Sequence, residues 1–440
     1  MLKSSRISNQ QRGQTIALVA ISMISFIAMA ALAIDLTSLY SARSEIQRAA
    51  DAAALAGAKA FVDSGFTTDP GNSNLRTIAL NMAQSYAAGV ASQNLVANGV
   101  AQIVGTPAVD ISLPGNPRIT VKLQRTDLPL FFARIWGSNF ASVSATAAAE
   151  AYNPSYSQTK ATSFLPSAPR CVKPLLVPND DKQFGVHFIN TSNGAVNVAT
   201  GVQFIGEQIS FTTACTPGTG KVKGCKVPSK PNPGEYIPML VGSAHQYCHN
   251  SSAQGCSGTG SHFEQSIECC DGTAFDAPQC GTGTARASWD PTIDPKGTGI
   301  GTGNSPVAAG LQCLIHSTGG NAQQDSLDPS AFSSGKGPLL ISPGTFSQNT
   351  YGVSSGAILA TSDSIITVPL FDNSSAFRQP PDTQLTIVGF LTLFVNNVSG
   401  SSGDFTATIM NVTGCGNSPS TSPAVSGGGV SAIPVRLIHN

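Results

Sequence analysis

The chain has 440 residues, with 24 cationic and 24 acidic side chains, and charged residues make up only 11% of it. A net charge of zero on so sparse a charged surface leaves no basic face, and nucleic acid is therefore not an expected partner. The length allows two or three domains with cores of their own. With 44 Gly and 28 Pro, the composition fits exported β-rich modules with polar loops better than a cytosolic enzyme.

At the N-terminus Lys3, Arg6 and Arg12 come first, with no acid among them. Ile16 to Ile34 then runs without a charge, and Asp35 is the first charge after it. This stretch approaches the ~20 residues a helix needs to cross a bilayer core. Cations before it and mixed charge after it place the N-terminus in the cytoplasm and the remainder across the membrane. Three fates of the leader are compatible with these residues. Ala31-Leu32-Ala33 has the small-x-small form of a signal cleavage site, although the apolar stretch exceeds the ~7–15 residues of a signal core. Arg12-Gly13-Gln14 has the form of a prepilin leader, although Leu18 stands where such proteins place a glutamate. The preferred reading is an uncleaved anchor whose helix continues beyond the membrane.

That continuation is visible over residues 36–61, which contain no Pro and a single Gly, Gly57. Leu39, Ile46, Ala53 and Ala60 recur every seven residues, and Ala42, Ala49, Ala56 and Asp63 follow three behind. Such a repeat marks a helix–helix seam, and Ala49, Ala53, Ala56, Gly57 and Ala60 would let a partner backbone come close. The alternative is that alanine merely favours helix. Asp35 ends the apolar span and has two readings, a pair with a cation of a neighbouring subunit or a solvated boundary residue.

Arg12-Gly13-Gln14, Ala33-Ile34-Asp35, Tyr40-Ser41-Ala42-Arg43 and the run Ile46-Gln47-Arg48-Ala49-Ala50-Asp51-Ala52-Ala53-Ala54-Leu55-Ala56-Gly57-Ala58 together resemble the N-terminal module of the Flp pilus-assembly TadE/TadG-like family. The resemblance covers about residues 12–60. It implies a bacterial, inner-membrane-anchored component of a Tad-type pilus or secretion apparatus, with other pilus or envelope subunits and membrane lipid as partners. It brings no catalytic residue and no cofactor. Longer members carry a metal site of the form D-x-S-x-S. Asp372-Asn373-Ser374-Ser375-Ala376 lacks the second serine, so no metal site is carried over.

Further along, Leu75 to Ala88 reads as a helix with Leu75, Ile78, Ala79 and Met82 on one face. Residues 109–113 and 119–123 alternate around Pro114-Gly115-Asn116-Pro117 as a β-hairpin. Pro129 is expected to open a short helix ending near Trp136, and Ser142 to Ala149 alternates again. The expected fold is α+β. It comprises an anchor and extended helix (1–62), a small pilin-like domain with an antiparallel sheet (63–152), a linker (153–170), a Gly/Cys-rich loop region (171–330) and a β-rich module (331–440). Strands in the last are expected over 357–370, 384–395, 405–412 and 430–437, arranged as a sandwich or related sheet.

All ten cysteines lie between Cys171 and Cys415, within the part expected to be exported, where disulfides persist. Cys215 with Cys225 and Cys248 with Cys256 are candidate loop closures. Adjacent Cys269 and Cys270, with Cys280, complete the candidate disulfide set, although sequence does not fix connectivity. Zinc held by these cysteines with His245, His249 and His262 is the weaker alternative, because no C-x2–4-C knuckle is present. Gly352-Val353-Ser354-Ser355-Gly356 matches the hydrolase elbow without the strand and helix that elbow needs. Gly297, Gly299, Gly301 and Gly303 read as a flexible loop. Asp290 and Asp294 lack calcium-loop spacing, and His187, His316 and His439 suggest no site. The expected function is therefore a non-enzymatic, membrane-anchored pilus component. The runner-up is a secreted or surface-exposed β-rich adhesin or binding module, and a hydrolase acting through Ser354 is a distant third.

Overall fold

The computed structural model describes residues 10–112, 115–137, 139–155, 167–217, 224–227, 229–241, 261–270, 273–276, 285–297, 305–317, 323–334, 337–374, 377–399, 402–415, 425–427 and 430–438. One unbroken helix, α1 (Gln10–Asp63), contains both the apolar span and the alanine-rich run. Nothing in that stretch breaks a helix, because proline is absent and glycine occurs only at Gly13 and Gly57. The helix stops at Gly65, whose φ of 75° is costly for any residue with a Cβ. Asn72 caps α2 (Ser73–Gln93), its side chain accepting from Asn74 N and Leu75 N. Leu75, Ile78, Ala79, Ala83, Ala87 and Ala91 make the buried face of α2, and it packs antiparallel-fashion after the short turn onto α1.

A five-stranded antiparallel sheet covers the same helix. It contains β1 (Gln102–Ile103), β2 (Ala108–Asp110), β3 (Arg118–Pro129), β4 (Phe140–Ala151) and the C-terminal β12 (Val435–Ile438). The order is β12-β4-β3-β1, with β2 also paired to β3. Ile119, Val121 and Leu123 point into the core, alternating with less buried neighbours. The hairpin partner of residues 118–129 is therefore shorter than the sequence suggests. Pro129 ends a strand, paired with Phe140, and does not open a helix. Only a 3-10 turn, Ala133–Trp136, follows it. Proline is tolerated there because a strand end leaves its missing N–H unneeded.

The second sheet contains β5 (Leu175–Pro178), β6 (Gln208–Thr213), β7 (Glu235–Pro238), β8 (Arg286–Ser288), β9 (Ile365–Phe371), β10 (Gln384–Ser399) and β11 (Asp404–Gly414). Its order is β8-β10-β9-β5-β7-β6-β11, and β11 pairs back to β10. Six strands thus close into a barrel, with β8 added on the outside of β10. Of the expected sandwich or sheet-rich module, the chain forms the latter, as a closed barrel. The sixteen-residue β10 can serve two neighbours because its register shifts at Thr392/Leu393 and Val395/Asn397, and bulges bend a strand enough for closure. Residues 357–364 form turns before β9. Three barrel strands come from residues 171–330, so that region supplies sheet as well as loops.

Buried polar side chains join the barrel to the helix. Asn411 Nδ2 donates to Val62 O at 2.7 Å, and Asn411 Oδ1 accepts from Thr67 Oγ1 and Thr68 Oγ1 at 3.0 and 3.2 Å. Val412 N donates to Thr68 Oγ1 at 2.8 Å. Asn153 Nδ2 donates to Thr67 O at 2.6 Å and to Val412 O at 3.2 Å. Lys59 Nζ reaches Asp63 at 2.6 Å and Ala360 O at 2.7 Å. At the other edge Arg436 pairs with Glu150 and lies over the Tyr152 ring, which fixes β12 to β4. The end of the helix, the first sheet and the barrel therefore share one buried network.

Two bridges reinforce the barrel side. Cys171 is bonded to Cys270 and Cys215 to Cys225. Cys269, Cys313 and Cys415 are also disulfide-bonded. Cys248, Cys256 and Cys280 lie outside the described residues. In the chain-entropy picture a bridge spanning 99 residues stabilises by about 4–5 kcal/mol.

Two stability outcomes follow from the polar interior. Replacing Asn411 with Ala leaves the buried Thr67 hydroxyl without its partner and removes one bond each from Val62 O and the Thr68 hydroxyl, which keep those to Gly65 N and Val412. Denaturant unfolding should show a loss of about 2–3 kcal/mol. Beside the barrel, Glu207 is pushed up to about 8 by burial and by the adjacent Asp181 carboxylate. A raised acid favours the protonated form when folded. Its stabilisation is therefore complete below the unfolded value of 4.5 and lost as pH rises towards about 8. Glu207→Gln should raise the melting midpoint by about 2 °C or more at alkaline pH and change it little in acid, measured by thermal scans across pH.

Candidate functional site at the exit from the apolar span

From Ile16 onwards α1 is lined with bare apolar side chains. Ile16, Leu18, Ile24 and Phe26 are each about two-thirds exposed or more. It is the one helix among the described residues long and apolar enough to cross a membrane. Because only 6% of its most apolar window is buried, the stretch differs from the buried core helix of a soluble domain.

The folded domain begins abruptly on one face of this helix. Ala31, Asp35, Ala42 and Ile46 are buried, whereas Leu36 and Tyr40 remain exposed. Asp35 is only 3% exposed. Its Oδ1 accepts from Phe131 N at 2.9 Å, and its Oδ2 accepts from Phe132 N at 3.0 Å and Ala133 N at 2.7 Å. These are the free N–H groups at the start of the 3-10 turn, which a carboxylate satisfies well. Burial alone would raise the carboxyl pKa. The N–H groups of Ala133, Phe131 and Phe132 outweigh burial and hold it below the usual carboxylate value. Asp35 is therefore buried and hydrogen-bonded within its own chain. Its partners belong to the β3–β4 connection of its own chain.

One helical segment up, the alanine run meets its own chain. Ala49, Ala53 and Ala60 are buried and Ala56 partly so, packed in the core formed with α2 and the first sheet. At Gly57 an added Cβ would lie 2.6 Å from Ile119 Cδ1 and 3.0 Å from Ala83 O. Glycine is needed there because helix, helix and strand converge. The small-residue face is thus occupied within the chain, by α2 on one side and β3–β4 on the other. It is not left open for a facing helix from a partner. Glu45 adds a strap, its Oε2 accepting from Ala97 N at 2.7 Å.

Other residues with chemical potential are engaged in structure. Ser354 is exposed in a turn after the helix Thr345–Tyr351, with no strand before it. His316 Nε2 contacts Asp363 Oδ2 at 3.0 Å and its ring stacks on Phe346. His187 Nδ1 contacts Asp180 Oδ1 at 2.5 Å. Asp290 Oδ1 accepts from Thr292 N, and Asp294 Oδ1 accepts from Lys296 N, which is turn capping. Asp372 Oδ1 does the same for Ser374 N. Among the described residues no group of three His, Cys, Asp or Glu side chains is placed to hold a metal ion. His245, His249, His439 and Gly299 to Gly303 lie outside the described residues.

The segment that carries the span, the Asp35 clamp and the alanine face is the one with known relatives. Residues 13–60 match the family described as Flp pilus-assembly TadE/G-like. No curated protein and no solved structure matches the chain. The Tad-like match ends three residues before α1 does, so it contains the helix and none of the surfaces that cover it. The N–H partners of Asp35 lie almost a hundred residues away in sequence. No local pattern could have revealed them.

Both features have measurable consequences. Asp35→Ala removes the acceptor for three N–H groups, so the turn should open. Trypsin should then cut after the exposed Arg134 faster by on the order of tenfold, as local opening becomes easier. Ala53→Phe places a ring in a filled core and should cost 1–3 kcal/mol or more of stability. Ser41→Phe, on the exposed side of the same helix, should leave the unfolding midpoint unchanged.

Proposed function

We propose that this chain is a non-catalytic, membrane-anchored structural or assembly component of a Tad/Flp-type pilus or secretion apparatus. Its N-terminus is cytoplasmic, α1 crosses the inner membrane once, and everything after Asp35 stands outside. The observation that carries the reading is the division of α1. One half is apolar and unclothed, the other is built into a folded domain, and the Tad-like match spans the junction. Disulfides in the domain fit an oxidising compartment. The cations Lys3, Arg6 and Arg12 fit the orientation. Cleavage after Ala33 would have to occur inside a continuous helix beside a buried Ala31, which favours the retained anchor.

This division also changes the expected mode of partnership. With the alanine face filled internally, other pilus or envelope subunits would meet the bare span within the membrane or the outer surface of the domain. Protease added to spheroplasts should digest the domain and leave a short protected N-terminal fragment. Mass spectrometry of the mature N-terminus should find residues before Ile16. Co-purification from detergent should recover other Tad components, and loss of the span should abolish it. A protected C-terminal region would overturn the orientation, and a mature protein beginning after Ala33 would favour the secreted adhesin instead.

A further inference from the structure

Resting on that anchored reading, we propose that the β3–β4 tip is a second membrane-contact site. It would insert Phe131 and Phe140 into the outer interfacial layer of the bilayer that α1 crosses. The position of the tip is set by Asp35. Because the Asp35 carboxylate holds Phe131 N, Phe132 N and Ala133 N, the tip lies at the level where the apolar span ends. Ala31, one turn or about 6 Å closer to the bilayer centre on the same face, is also buried.

The hairpin is also the right length to arrive there. Gly57 touches Ile119 near the base of β3. From Gly57 back to Asp35 is 22 residues, or about 33 Å of helix. From Ile119 to Phe131 is 12 residues, at most about 40 Å of strand, shortened by the register shift between Arg125 and Leu128. Helix and hairpin therefore run side by side from the core to the membrane surface.

The chemistry of the tip suits lipid. Phe131 and Phe140 are each 64% exposed, although they flank a short turn of a well-packed sheet. Tyr40 on α1 is 67% exposed and stands a little over one turn beyond Asp35. Tyr and Trp mark the water–hydrocarbon boundary of membrane proteins, and Phe is among the side chains that interfacial segments bury there. Arg134, exposed on the same turn, matches the phosphate level. Exposed rings at this height would otherwise be an apolar patch in water. With the tip seated, the domain meets the bilayer at two points, which restricts tilting of the helix.

The test uses the full chain reconstituted in vesicles of phosphatidylethanolamine and phosphatidylglycerol carrying a photo-crosslinkable partner tag on the lipid. Phe131→p-benzoylphenylalanine and Phe140→p-benzoylphenylalanine are irradiated separately. Ile24→p-benzoylphenylalanine reports the span itself. Ile358→p-benzoylphenylalanine is the exposed apolar control, next to the Ala360 carbonyl that Lys59 holds at the far end of α1. Lipid adducts at 131 and 140 should exceed those at 358 by on the order of tenfold, as interfacial burial requires. Adducts at 24 with none above control at 131 and 140 would overturn the proposal and leave the anchor standing. Adducts to a second copy of the chain in place of lipid at 131 and 140 would also overturn it. No adduct at 24 would sink the anchored reading and this proposal with it.

Discussion

A carboxylate at the end of a membrane helix ordinarily needs water or a cation. Asp35 instead takes three backbone N–H groups from a turn of its own chain, and much of the architecture depends on that exchange. It removes the solvation demand of the charge where the apolar span ends. It also satisfies donors that the start of a 3-10 turn cannot satisfy itself. The bond is local in space but links residue 35 to residues 131–133, so it can form only once the first sheet has folded along the helix. The same contact makes the helix continuous with the domain. No hinge separates the apolar span from the fold, because α1 runs to Asp63 without a break.

That rigidity is carried to the far end by the Asn411 network. Asn411, Thr67, Thr68 and Asn153 are buried and satisfy one another and the ends of two backbones. Such a network adds little net stability when complete and costs much when broken. Its role is positional, since only one arrangement of barrel and helix pairs every group. The returning strand β12 adds a second tie, through its ladder with β4 and the Arg436–Glu150 pair. The barrel is thus attached to the helical layer at its chain start and its chain end. Residues 153–155, which begin the Ser/Thr/Pro-rich stretch, are buried participants in this joint.

How much of this was legible in the sequence depends on the range of the interactions. The apolar span and the helix beyond it are written in local composition, and the structure contains both within α1. Phe405, Ala407 and Ile409 alternate with Thr406 and Thr408 in the sequence and belong to β11, although burial is continuous from Ala407 onwards and not confined to one face. The barrel was not legible, because closure depends on which strands meet, and β10 alone looks like any long hydrophobic strand. Pro129 misled for a similar reason. The same residue that opens helices also ends strands, and only its pairing with Phe140 decides between them. The small side chains of the alanine run signalled close approach correctly in kind, but their spacing cannot say whose backbone approaches. Cys171 and Cys270 are 99 residues apart, beyond any spacing argument.

The boundary of the Tad-like match acquires a physical meaning from these contacts. Residues 13–60 end with an alanine face that is stable only when something covers it, because an isolated helix derives little stability from alanine propensity alone. In this chain the cover is α2 and a sheet whose strands span residues 102 to 438. The matched segment is therefore half of an interface, an anchor with a fixed docking surface on its outer part. Gly57 shows how close that fit is in this chain, since one added carbon there would meet both Ile119 and the Ala83 carbonyl.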